Sequence, residues 1–226
     1  MLMGQNKEGE KMKNIKQIYL LLIVLLIAGS QLIAQDTEND FEYRTNVKLS
    51  FKPLKKLKIN LNPEIRFKDD FSVDNYLIET EVVYRPIKLL YLSGGYRFII
   101  NPRSEKDTEY LNRYEFGIAL KKDFDRFKPQ LKIRYTNYAE EDEDSNYLRY
   151  KAALGYNIKG CKLTPTLSAE LFQQLPDADL YKVRYKLGLD YKVLKNNYIT
   201  GSYRLDYYLN ENKNKHIFSV GYKLKF

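Results

Sequence analysis

The residues best suited to chemistry are charged side chains that recur at every second position between apolar ones. This alternation predicts β-strands, because successive strand side chains point to opposite faces. Interspersed carboxylates and guanidinium groups favour a satisfied ionic network, and the alternative is a narrow anion path lined by the long cations. The candidate interior residues are Glu64, Arg66, Glu79, Arg97, Arg113, Glu115, Arg134, Arg149, Glu170, Arg184, Asp190, Arg204 and Asp206.

Catalysis has little support in the sequence. His216 is the single histidine, and a serine hydrolase needs a base beside its nucleophile, with a third group orienting that base. Ser219 falls on the opposite strand face from His216. A lipid hydrolase or acyltransferase acting at the membrane surface is therefore the least favoured of three function classes, and no catalytic, cofactor or metal residue is predicted.

Three further features have ordinary structural interpretations. The acidic run Glu140–Asp144 lacks the spaced ligands and turn glycine of an EF-hand, which favours a solvated loop over a Ca²⁺ site. Cys161 has no partner in the chain and is expected to be a free thiol. Gly94 and Gly95 lie inside a predicted strand with no helix after it, so a bend or close approach is expected instead of a phosphate loop.

The first 34 residues have the pattern of a secretory signal peptide. Apolar residues run from Ile18 to Ala28, after three lysines and before a small residue at Ala34. The apolar run is shorter than the roughly 20 residues that a transmembrane helix needs. Cleavage after Ala34 would leave residues 35–226 as the mature domain, and Met12 is an alternative start.

The net charge of the chain is +9, and it remains positive after removal of the signal peptide. In an exported protein this favours contact with anionic lipid over nucleic acid.

The mature chain reads as eleven alternating blocks of about ten to thirteen residues. The clearest runs from Tyr181 to Val193, with seven apolar residues on one predicted outward face. Blocks of this length exceed ordinary globular strands and fit the ~9–11 residues that cross a membrane at a tilt. A soluble β-sandwich is the alternative. The 21 tyrosines fall mainly on the apolar phase, as the aromatic girdles of membrane barrels require.

The connections alternate between short turns and longer polar loops, which is typical of an outer-membrane barrel. Bacterial barrels usually have an even number of strands, and eleven blocks do not fit that rule. Three alternatives would restore an even number of strands. The block Phe41–Lys52 could lie outside the wall, Asp36–Asp40 could contain a further segment, or one block could be divided in two. We therefore predict ten to twelve antiparallel strands.

The ending Phe218–Phe226 resembles the β-signal that the barrel assembly machinery recognises, with Phe218, Tyr222, Leu224 and Phe226 as its carrying residues. The run Phe41–Phe226 also resembles the DUF2490 family of outer-membrane barrels. The segments that carry this resemblance are Pro63–Phe67, Leu92–Phe98, Asn146–Lys151, Leu163–Phe172 and Tyr185–Lys192. They are strand patterns without a catalytic signature.

These features together predict an all-β, exported barrel in the Gram-negative outer membrane. A structural or interaction barrel with an ionic, largely filled lumen is favoured, since about ten strands are only slightly wider than the eight whose side chains fill a barrel. A small channel with weak anion preference is the alternative. The expected partners are membrane lipids and the assembly machinery.

Overall fold

The computed structural model describes residues 37–103, 107–137, 146–175 and 177–226, and this part of the chain folds into eleven β-strands. No helix long and apolar enough to span a membrane occurs among these residues. The strands are β1 (Glu38–Leu54), β2 (Leu57–Phe67), β3 (Val73–Tyr84), β4 (Leu90–Asn101), β5 (Glu109–Lys121), β6 (Phe127–Asn137), β7 (Asn146–Tyr156), β8 (Leu163–Leu175), β9 (Leu180–Leu194), β10 (Asn197–Tyr208) and β11 (Lys213–Lys225). The predicted signal peptide and the acidic run Glu140–Asp144 lie outside the described residues.

The eleven strands close into one barrel. Ten neighbouring pairs are antiparallel, and β1 pairs with β11 in parallel. The prediction of a wholly antiparallel wall is therefore wrong at one seam. An odd number of strands forces this, because in an up-and-down meander the first and last strands then run in the same direction.

The first strand is part of the wall, so the alternative that placed Phe41–Lys52 outside it is also wrong. Thirteen residues of β1, from Glu38 to Ser50, pair with β11. Gly221 lies opposite Asn46 in this seam, and a Cβ at Gly221 would come within 2.8 Å of the Asn46 carbonyl oxygen. The missing side chain thus allows the two strands to approach.

The barrel has two different rims. The turns β1–β2, β3–β4, β5–β6, β7–β8 and β9–β10 lie at one rim, which we call the short-turn rim, and β11 ends there. The connections β2–β3, β4–β5, β6–β7, β8–β9 and β10–β11 lie at the other, the loop rim. Because β1 runs parallel to β11, it starts at the loop rim.

Alternation along each strand separates an apolar outside from a polar inside. Side chains such as Ile78, Phe116, Leu167 and Val220 are exposed on the outer face. The buried residues are mostly polar or charged and lie on the inner face, where the barrel has its core. Gly95 is an inward position in β4, and a Cβ there would approach Glu115 Cγ to 2.8 Å, so Glu115 packs against the bare strand.

Tyr181 departs from the predicted alternation. The β8–β9 register shifts beside it, since Phe172 pairs with Lys182 but Gln173 pairs with Leu180. This bulge leaves Tyr181 as the extra residue and re-aims its side chain. The Tyr181 ring lies 5.4 Å from the rings of Tyr147 and Tyr208, which face the interior. Its predicted place on the outward face is therefore wrong.

Candidate functional site

The interior of the barrel is the candidate site. The structure brings the thirteen charged residues singled out in the sequence onto the inner face, on nine of the eleven strands. They line internal cavities or bond to residues that do. Their placement follows from strand alternation, which puts every second residue of each strand inside.

Several of these residues form buried ion pairs. Arg184 donates from Nε and from a terminal nitrogen to the two Asp206 carboxylate oxygens, each at 2.5 Å. Lys182 Nζ lies 3.1 Å from the same carboxylate, whose residue is 1% exposed. Asp206 thus balances two cations from the neighbouring strand.

Similar pairs recur around the wall. Arg149 Nε donates to Glu170 at 3.0 Å, and Arg134 donates to both Glu115 oxygens at 2.9 and 2.7 Å. Arg97 Nε donates to Glu79 at 2.8 Å. Each of these contacts joins the side chains of two adjacent strands on the inner face.

Glu64 joins a cluster that spans β1, β2 and β11. Arg66 Nε donates to Glu64 at 2.9 Å, and Arg44 reaches Glu64 at 3.4 Å and also bonds to Glu42. Lys215 Nζ lies 2.8 Å from Glu42. The cluster therefore ties the two strands of the parallel seam together from the inside.

One layer of the interior, near the loop rim, is built from buried side chains of every strand. None of its eleven members is more than 7% exposed. This plug layer consists of Glu42, Arg66, Leu77, Ile99, Glu115, Thr136, Arg149, Phe172, Lys182, Asp206 and Ile217. Eight of these residues border a void of about 90 Å³ within the layer, which is enough for a few water molecules.

Aromatic rings in and beside the plug layer contact the cations at this level. The Phe172 ring centroid lies 4.4 Å from Arg149 Cζ, 4.9 Å from Arg184 Cζ and 5.1 Å from Lys182 Nζ. The rings of Tyr208 and Tyr181 lie 4.8 and 5.5 Å from the same Lys182 atom. Cation–π attraction adds to the ion pairs at this level and holds the cations in place.

Sequence reasoning missed these inward aromatic and aliphatic groups because it assigned tyrosine and other apolar residues to the lipid face. A signal was present. Tyr147, Phe172 and Ile217 fall on the polar phase of their strands, close to the loop rim. An apolar residue on the otherwise charged phase indicates internal packing.

Below the plug layer, an ion pair crosses part of the interior. Lys132 Nζ of β6 lies 3.4 Å from Glu81 of β3, and Asn60 donates to the other Glu81 oxygen at 2.8 Å. On the β8–β11 side a cavity of about 400 Å³ remains between the middle of the barrel and the short-turn rim.

The other singled-out residues lie elsewhere. His216 is on the outer face near the loop rim, where its ring stacks on Phe41 at 5.0 Å and its Nδ1 lies 2.8 Å from Tyr203 Oη. Cys161 is an exposed free thiol in the β7–β8 connection. The part of the chain that the structure describes contains no group of three His, Cys, Asp or Glu side chains able to hold a metal ion.

Three residues of the predicted assembly signal, Phe218, Tyr222 and Leu224, lie on the outer face of β11, and Phe226 directly follows this strand. Phe218 packs between Tyr43 and Tyr203, with ring centroids 5.8 and 5.2 Å away. Tyr222 donates its hydroxyl to Asn197, and Phe226 stacks on Phe51. With Leu224 they form a stripe along the seam.

Comparison with known proteins gives one family. No curated protein matches the chain. The model of the family described as a protein of unknown function, DUF2490, matches residues 41–216, which include the nine complete strands β2–β10 and most of the inner face. The protein belongs to the DUF2490 family.

Proposed function

We propose that this protein is an integral outer-membrane barrel with a structural or interaction role, whose lumen is closed at the plug layer. The observation that carries the proposal is that each of the eleven strands contributes a buried side chain to that layer. A solute following the axis would have to displace these buried side chains, several of which are held in ion pairs.

The outer surface supports the membrane part of the proposal. Exposed Leu, Ile, Val and Phe side chains surround the barrel, and an apolar belt of this kind in water would favour aggregation. Exposed aromatic rings lie near both rims, as the girdles of membrane barrels do. They include Phe41, Tyr76, Tyr110 and Tyr207 at the loop rim, and Tyr84, Phe127, Tyr191 and Tyr222 at the short-turn rim.

Closure of the wall supports it as well. In hydrocarbon every backbone N–H and C=O must be paired, and a closed sheet is one of the few structures that achieves this. The parallel β1–β11 seam removes the last free edge. Export by the predicted signal peptide, residues 1–34, and recognition of β11 by the assembly machinery complete the proposal and place the loop rim outside the cell.

Reconstitution into liposomes tests the closed lumen. We expect proteoliposomes to resist swelling in arabinose like protein-free liposomes. Protein that floats with the lipid and shifts in apparent mass on heating before electrophoresis would establish that the barrel has inserted. Rapid swelling of such vesicles would contradict a closed lumen, and recovery of the protein in the soluble periplasmic fraction would contradict the membrane location.

A small anion channel is the second candidate. It is favoured by the excess of cations on the inner face, where Lys48, Lys151 and Lys186 have no carboxylate partner among the described residues. Chains of such cations lower the barrier to anions. Reversal potentials under a salt gradient distinguish it, since anion selectivity would support the channel and absence of current would reject it.

A further inference from the structure

The cavity of about 400 Å³ beside the short-turn rim has the features of a binding site. Its volume falls within the range of small-molecule pockets. Residues of β8–β11, β1, β2 and β4 line it on the short-turn side of the plug layer, and the side chain of Asp190 at its outer end is 38% exposed. The cavity therefore faces the short-turn rim at one end, and the plug layer bounds it at the other end.

The charge of the lining is strongly unbalanced. Six cationic side chains and two carboxylates border the cavity. Both carboxylates are already paired, Glu64 with Arg66 at 2.9 Å and Asp190 with Lys223 at 2.5 Å. Lys48, Lys186 and Arg204 also border it, and none of the three has a carboxylate within ion-pair distance in the described part of the chain.

The middle of the cavity wall is built from small hydroxyl residues. Thr200, Ser202 and Ser219 line it together with Gly188, and Ser202 is the register partner of both Gly188 and Ser219. Small residues leave space beside the strands, and hydroxyls donate hydrogen bonds. This part of the wall therefore presents small hydroxyl groups next to the long cationic side chains of the cavity.

Two buried polar atoms of the cavity wall lack hydrogen-bond partners among the described residues. They are Arg204 Nε and Ser219 Oγ. A buried donor without a partner is unfavourable, because it has lost its hydrogen bonds to water. Both groups can donate a hydrogen bond, and both residues line the cavity, so an anionic oxygen there would supply the missing acceptor.

The short-turn rim extends the positive charge outward. This end of the barrel carries the exposed carboxylates Asp123 and Asp125 and a larger number of exposed lysines. The lysines include Lys55, Lys56, Lys88, Lys122, Lys162 and Lys195. An excess of one sign of charge around an entrance concentrates ions of the other sign. Anions in the adjoining compartment are thereby drawn toward the cavity.

We propose that this cavity binds a small water-soluble oxyanion, such as a molecule carrying a phosphate group. The anion would lie between the cations of Lys186 and Arg204 and the hydroxyls of Ser202 and Ser219. Binding is stoichiometric and does not require passage through the plug layer. The polar lining disfavours an acyl chain, which separates this ligand class from a membrane lipid.

Titration calorimetry of the full barrel in a maltoside detergent tests the proposal, with inorganic phosphate as the probe at low ionic strength. We expect one saturable site. Arg204→Gln and Lys186→Gln should each weaken phosphate binding by about tenfold, as loss of a charged hydrogen bond predicts. Lys58→Gln is the matched control, because Lys58 lies on the inner face of β2 outside this cavity. The Lys58→Gln variant should bind phosphate with an affinity within about twofold of that of the wild type.

Ser219→Ala provides a second variant if loss of a cation impairs folding, and heat-dependent migration on gels reports the fold of each variant. Glycerol 3-phosphate and dihexanoyl phosphatidic acid distinguish a soluble ligand from a lipid headgroup. A preference of about tenfold or more for the phosphatidic acid would overturn the soluble class. Absence of saturable phosphate binding, or equal weakening by Lys58→Gln, would overturn the site.

Discussion

The ring of Phe226 stacks on the ring of Phe51, with centroids 4.7 Å apart and planes 3° apart. The Phe226 amide also donates to the Ser50 carbonyl at 2.8 Å. These contacts close the parallel seam at the short-turn rim. Stacked aromatic pairs contribute about 0.5–1.5 kcal/mol beyond their burial.

A double-mutant cycle measures this contribution. Phe51→Ala, Phe226→Ala and the double variant should show a coupling of about 0.5–1.5 kcal/mol in urea unfolding from phospholipid vesicles. Strictly additive losses would show that the two rings do not stabilise the seam together.

The same two variants separate stability from assembly. Both remove the stack, but only Phe226 belongs to the predicted assembly signal with Phe218, Tyr222 and Leu224. We expect Phe226→Ala to lower the amount of folded barrel in cell membranes several-fold more than Phe51→Ala, while the refolded proteins have similar stability. Equal yields in cells would contradict a role of Phe226 in recognition.

Cysteine cross-linking tests the parallel closure. Thr45 and Val220 are register partners on the outer face, and adjacent strands are close enough for a disulfide. In a Cys161→Ser background, Thr45→Cys with Val220→Cys should form an intramolecular disulfide in high yield. Thr45→Cys with Gly201→Cys is the control, because Gly201 lies on β10, one strand further away. Cross-linking of the control pair alone would contradict the seam.

Much of the fold was predictable because the period of two is so regular. The eleven blocks correspond to the eleven strands, and the alternation of short and long connections identified the two rims. The seam was not predictable from the pattern. Alternation shows which face a residue occupies but not which strand lies beside it. The usual rule of an even number of strands gives no reason to expect a parallel pair of β1 and β11.

The candidate site was predictable in its charged members and not in its packing. Glu170 and Asp206 follow directly from the phase of their strands. Phe172 lies in the plug layer because its strand presents it inward near the loop rim, against the usual placement of aromatic rings. Tyr181 joins it through a bulge, and a one-residue shift of register reverses the face of a side chain.

The buried carboxylate of Asp206 should matter far more than an exposed one. Asp206→Asn leaves Arg184 and Lys182 without their shared anion, and breaking a buried pair costs about 3–5 kcal/mol. Asp190→Asn is the matched control, because its pair with Lys223 is partly exposed and such pairs contribute about 0–1 kcal/mol.

Urea unfolding of the two variants in the same vesicles gives the comparison. The Asp206 variant should have the much lower midpoint. Similar losses of stability in the two variants would show that the interior is hydrated throughout and that the plug layer is not dry enough to make its ion pairs strong.

Single-channel recording in planar bilayers tests the closed lumen most directly. A Tyr147→Ala, Phe172→Ala variant, which removes two inward rings from the closed end, provides the control for insertion and should give conductance steps. The wild-type barrel, inserted under the same conditions, should leave the current at the protein-free baseline. Reproducible conductance steps from the wild-type protein would contradict the closed lumen.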